Sequence, residues 1–136
     1  MNALLDDIMD LIVANTSFVK GTTLWAGREP ASPSNIVTLY DAPDAGPWLP
    51  MDENTDGNPI RYDYTAFQTL IRNTSYTEAV GIGDQLIDVL HARGNFVHKG
   101  TWYSLIQAMD TPFLLEWDDN NRVKVVVNFH VQRTPE

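Results

Sequence analysis

The stretch from Val123 to Arg133 constrains this chain more than any other. Val123, Val125, Val127, Phe129 and Val131 fall on one side of an extended backbone, and Lys124, Asn128, His130 and Gln132 on the other, with Val126 the apolar exception. Side chains alternate across a strand, so this period of two, rich in β-branched residues, predicts a long strand with one face buried. Asp118-Asp119-Asn120-Asn121 reads as the hairpin turn that feeds it, preceded by a strand over Phe113 to Trp117. Further strands are expected over Phe96 to Lys99, Thr101 to Ala108 and Ala66 to Asn73. Two shorter ones, Thr22 to Ala26 and Ile36 to Tyr40, flank a stiff loop containing Pro30 and Pro33 and read as a hairpin-like unit.

Two segments switch to a helical period. From Asn2 to Ala14, Leu4, Leu5, Ile8, Met9, Leu11 and Ile12 recur at helical spacing, with Asp6 and Asp7 near the start, where the helix dipole favours acids. A second helix opens at Ser75-Tyr76-Thr77-Glu78, a capping box in which Ser75 and Glu78 each satisfy a free backbone amide. Its stripe is Ala79, Ile82, Leu86 and Leu90, and it is expected to stop at Gly94, after His91 and Arg93. Gly81 and Gly83 weaken it locally, which suggests that something packs close. The order helix, strands, helix, strands predicts an α+β fold: a mixed, mainly antiparallel sheet with two helices packed on one face. Residues 1–136 make one domain, interrupted by a Pro- and acid-rich loop at about 41–63 that holds Trp48 and Leu49.

Neither face of that sheet reads as cleanly polar. Beside the in-phase sets Phe67 and Ile71, or Phe113, Leu115 and Trp117, the out-of-phase positions supply Leu70, Tyr103, Leu105, Leu114 and Val126. A contiguous apolar patch is a liability on a lone soluble domain, so either a subunit contact or the Trp48-bearing loop is expected to cover it.

Composition narrows the function. The chain has no cysteine, which removes disulfides, zinc-thiolate sites and thiol nucleophiles. No apolar run approaches the ~20 residues of a membrane span, and Asp6, Asp7 and Asp10 stand where a signal peptide is apolar, so a cytoplasmic origin without membrane contact is expected. The net charge is −9, and nine acids face two bases over Met1 to Ile60, against nine and seven in the remainder. Such a surface argues against specific nucleic-acid binding, which needs clustered Lys and Arg.

The candidates for chemistry are few. His91, His98 and His130 stand at no metal-ligand spacing with another His or a carboxylate on their own elements. Gly81-Ile82-Gly83 lacks the preceding strand and third glycine of a dinucleotide fingerprint, and no Walker-type lysine follows a glycine run, so no cofactor is expected. Asp52, Asn54 and Asp56, followed by Gly57, reproduce the spacing of a calcium loop, with Asp63 where the last carboxylate falls. Against this, the flanking helices of an EF-hand are missing, Pro59 replaces an aliphatic residue and the last ligand is Asp, so acidic turn-formers in a Pro-rich loop are the default reading.

One resemblance spans nearly the whole chain. The N-terminal helix, Thr23-Leu24-Trp25-Ala26-Gly27-Arg28-Glu29-Pro30, and Ser32-Pro33-Ser34-Asn35-Ile36-Val37-Thr38-Leu39-Tyr40-Asp41 resemble the tail terminator or minor capsid proteins of long-tailed bacteriophages. The closing hairpin into a valine-rich strand ending in Gln132-Arg133 follows in the order of that family. The resemblance implies a non-enzymatic virion protein, assembled in the host cytoplasm. Its subunits form a hexameric ring that caps the head-proximal end of the tail tube, with the tube protein and head-tail connector proteins as partners. The stretch Asp44 to Tyr64 is longer and more acidic than the family pattern. Arg28 and Glu29 sit in the recognisable motif and are interface candidates, as are Trp48 and Leu49; a salt bridge within one subunit is the alternative for the first pair. Other readings are a head-completion or neck protein within the same class, a monomeric calcium-binding module, and, last, a small hydrolase without an identifiable triad.

Overall fold

The computed structural model describes residues 1–48 and 62–135. The alternating C-terminal segment is the spine of the sheet. It forms β7 (Val123–Pro135), and Val123, Val125, Val127, Phe129 and Val131 are all fully buried. On one side it pairs antiparallel with β3 (Tyr62–Asn73), from Asp63↔Arg133 to Asn73↔Val123. On the other side it pairs with two strands placed end to end: β5 (Thr101–Ala108) along its C-terminal half and β6 (Phe113–Trp117) along its start. With β1 (Leu24–Ala26), β2 (Ile36–Trp48) and β4 (Phe96–His98), the described residues form a curled sheet of order β1-β2-β3-β7-β5-β4, with β6 beside β7. The helices are α1 (Leu4–Asn15) and α2 (Tyr76–Leu90).

The core gathers Ile8 and Ile12 of α1 and Leu86 and Leu90 of α2 with Val37, Leu39, Phe67, Ile71, Ile106 and the inward row of β7. At its centre Phe67 and Phe129, cross-strand partners, stack with ring centroids 4.9 Å apart. The capping box forms at its first half: Ser75 accepts a hydrogen bond from the Glu78 amide at 3.3 Å. The helix stops at Leu90 rather than Gly94, because His91 is already extended and its ring takes another task, accepting the Ala108 amide at Nδ1. Gly83 is required by close approach: a Cβ there would lie 2.7 Å from Pro112 Cγ.

Several expectations need correction. β1 and β2 do not form a hairpin; they pair in parallel, Leu24↔Val37 to Ala26↔Leu39. The nine residues Gly27 to Asn35 between them therefore make a strap, fixed by arginine forks. Arg72 donates to the carbonyls of Pro30 (2.6 Å), Pro33 (2.8 Å) and Ser34 (3.2 Å), and Arg122 to that of Ala31 (2.8 Å). The expected loop from Asp41 is strand as far as Trp48, and β3 starts at Tyr62 rather than Ala66. Pro43 and Pro47 are tolerated because β1 ends opposite Leu39, so among the described residues this part of β2 has β3 alone as neighbour, with a bulge between Ala42 and Gly46.

Two further bulges re-aim side chains. Tyr103 pairs with Arg133 but Leu105 with Gln132, so Ser104 is an extra residue, and Tyr103 joins the buried core together with Ile106. Leu114 pairs with Val125, an inward residue, and so shares its face. The outer face keeps Leu70 and Val126, which are buried with Ile36 and Thr38 next to the row of Arg72 and Lys124 beneath the strap.

Candidate assembly surface

A single carboxylate closes the curl. Asp10, on α1, receives Lys20, which bridges to Leu24 at the β1 end of the sheet. It also receives His98 (2.9 Å), which ends β4 at the opposite end of the strand order, and Lys99 (3.0 Å), the residue after it. The Lys20 ammonium first, then His98 and Lys99, hold the Asp10 carboxyl well below the usual carboxylate range. One helical turn earlier, Asp7 is fully buried, accepts the Tyr103 hydroxyl at 2.5 Å and lies 3.7 Å from His98 Nε2. Burial first, and then the bond to Asp7, push the Tyr103 phenol far above its ordinary value.

Asp7, Asp10 and His98 bring three potential ligand atoms together. The two lysine ammonium groups against Asp10 already balance its charge, and a divalent cation would have to displace them. Sequence reasoning missed this cluster because its members are 88 residues apart for the Asp10–His98 contact and share no element. The same holds for His130, which meets Asp44 across the sheet and stacks on Tyr64 with ring centroids 6.1 Å apart.

The other candidates are dispersed. Glu29 pairs with Lys124 at 3.2 Å, and the Arg28 guanidinium lies 5.7 Å from the centroid of the Trp25 ring. Trp48 ends β2, its backbone opposite Tyr62; Leu49, Asp52, Asn54 and Asp56 lie outside the described residues. Asp63 is in β3, between Pro47 and Arg133. The depressions near Asp44, Asp63 and Tyr64, and near His91, Met109 and Thr111, are open to solvent on a broad side.

The largest departure from a sealed surface is at β6. All five of its residues are exposed, Leu115 and Trp117 each at 54%, and Met109 just before it at 61%. Polar groups are thus latched inside the curl, and an apolar strand is left outside it, a surface of the kind that makes contacts. The family comparison agrees: residues 11–135 match the model described as bacteriophage tail terminator protein, and the chain belongs to that family. Among solved structures it is similar to a chain of the virion of a native gene transfer agent particle, with a TM-score of 0.62 over 97% of this chain and 95% of that one. Identity there is 12%, so the likeness is one of fold. None of the curated proteins matches.

Proposed function

We propose that this chain is the subunit of a homo-hexameric ring that caps the head-proximal end of the tail tube and presents the head-tail connector with its attachment surface. The observation that carries this reading is the family match over residues 11–135. The virion neighbour of the same fold and the exposed apolar strand support it. The mechanism is shape complementarity without catalysis: one side of the ring takes the place of the next tube ring, and the other side refuses one. In this reading both helices pack on one face of the sheet and leave its outer face and edges for neighbours. Arg28, Glu29, Trp48 and Leu49 are the contact candidates of this reading. A net charge of −9 also lets a polyanionic genome pass without adhering.

Deleting the gene from the parent phage tests the reading, with overlong, headless tails as the expected outcome. Tails of normal length beside unjoined heads would assign the chain to head completion or the neck instead. A calcium-dependent rise in melting temperature that Asp56→Ala abolishes would favour the calcium-binding module.

A further inference from the structure

Backbone amides along a strand need acceptors on both edges. β5 pairs with β7 along one edge. Along the other, β4 covers Thr101 to Tyr103, and the Arg93 carbonyl takes the Ile106 amide at 2.7 Å. The next outward amide, that of Ala108, goes to a side chain instead: it donates to His91 Nδ1 at 2.9 Å.

A carbonyl oxygen accepts at any pH. A ring nitrogen accepts only while it carries a lone pair, so the bond to Ala108 fixes His91 as the neutral Nε2–H tautomer. A protonated ring would set its Nδ1–H against the Ala108 N–H, donor facing donor. The other two histidines are built in the opposite sense. His98 meets Asp10 and Asp7, and His130 meets Asp44, contacts that a proton on the ring strengthens.

The surroundings of His91 offer a charged ring a second place. Ile87, Ala108, Met109, Asp110 and Thr111 line the same depression, and Asp110 is the charged residue among them. Its carboxylate accepts the Asn128 amide and carboxamide, both at 3.0 Å, and so carries the ladder from β5 towards β6. On α2, Asp84 and Asp88 stand on the two turns before His91, and the Arg93 guanidinium is turned back onto the Val89 carbonyl at 3.0 Å. β5 and β7 bring Ala108 and Asn128, which are uncharged.

We propose that the β5–β6 junction is a pH-operated joint with His91 as its pin. The neutral ring holds Ala108 and closes the outer edge of β5. The protonated ring gives up that amide and turns to the Asp110 carboxylate, which loosens its hold on Asn128 and frees residues 108–112 to shift β6 on β7. An imidazole ordinarily titrates at about pH 6.5, so the joint works between neutral and mildly acidic solution. The inference goes beyond the ring reading and concerns one chain alone, so tail length in the gene deletion leaves it untouched.

Amide exchange of the full chain tests it, followed by NMR and expressed as protection so that the intrinsic effect of pH on exchange drops out. From about pH 8 to about pH 5, the Ala108 and Asn128 amides should lose protection about threefold to tenfold, the worth of one hydrogen bond. The Ile71 amide, fully buried in the middle of the sheet, should keep its own. In His91→Gln, whose side chain does not titrate, protection at Ala108 should not change with pH. Nitrogen shifts of the His91 ring at the alkaline end should report the Nε2–H tautomer, a readout that needs no variant. Protection at Ala108 that stays flat in the parent, falls equally in His91→Gln or falls together with that of Ile71 overturns the joint, as does an Nδ1–H ring at the alkaline end. Loss at Ala108 with Asn128 unmoved overturns the step through Asp110.

Discussion

The curl sealed by Asp10 and the edge left at β6 treat the same problem in opposite ways. At the seal, both ends of the strand order are tied to one helix by charged groups whose partners are all within the chain. At β6, a five-residue strand is left with apolar side chains in water and one answered charge. The difference separates contacts that hold the fold from surface that the described residues leave uncovered. Polar contacts that satisfy themselves add to stability without inviting company, whereas an unpaired strand edge adds little to folding and much to association.

The widest perturbation removes the foundation that the two ends share. Phe129→Ala takes away a fully buried ring stacked on Phe67 and should cost about 3–5 kcal/mol, measured by urea unfolding. A loss below about 1 kcal/mol would mean that the core of β7 repacks freely. Next, Tyr103→Phe strips Asp7 of its hydroxyl donor inside the curl and should cost about 1–3 kcal/mol while leaving amide exchange across 113–117 unchanged. If exchange there rises as well, the seal and the edge are coupled and the contrast is wrong.

Asp10→Asn should cost less, about 1 kcal/mol, because Lys20 and Lys99 are substantially exposed. Its signature is in pH. The folded Asp10 carboxyl titrates below its unfolded counterpart, so the unfolded chain binds the extra proton first as pH falls. The contribution is complete above the ordinary carboxylate range and is lost as pH drops through it towards the folded value. Melting curves of the parent from neutral to acid pH should therefore steepen in that window relative to Asp10→Asn. Parallel curves would remove Asp10 from the seal. The smallest folding effect belongs to Leu115→Glu, within about 0.5 kcal/mol, as expected of an exposed site outside the core.

Much of this was written in local pattern. The row from Val123 to Val131, the Ser75 cap, the strands over Thr101 to Ala108 and Phe113 to Trp117, and the close contact at Gly83 could be read because each depends on neighbours a few residues away. The strand through Pro43 and Pro47 could not, since proline is admissible only where β2 lacks a second neighbour, as it does among the described residues, a fact of topology. Nor could the inward turn of Tyr103, because the extra residue at Ser104 breaks the period on which the reading depended. The Asp7, Asp10 and His98 cluster joins the first helix to a hairpin near residue 98, a distance that no spacing rule covers. The apolar character of Phe113 to Trp117 was visible, but its exposure followed only from knowing that, among the described residues, β6 has β7 alone beside it.

The junction between β5 and β6 carries one more consequence. There the ladder is carried over by a side chain: the Asn128 amide and carboxamide both donate to the Asp110 carboxylate at 3.0 Å, and the Met109 amide donates to the Asn128 carbonyl at 2.8 Å. A splice of this kind separates two lengths of strand that would otherwise share one register. Residues inserted or deleted in 109–112 would slide β6 along β7 without moving Tyr103 or Ile106. A lineage could thus re-aim its exposed strip while leaving the β5 half of the interior in place, with the packing of Pro112 on Gly83 as the contact to be remade.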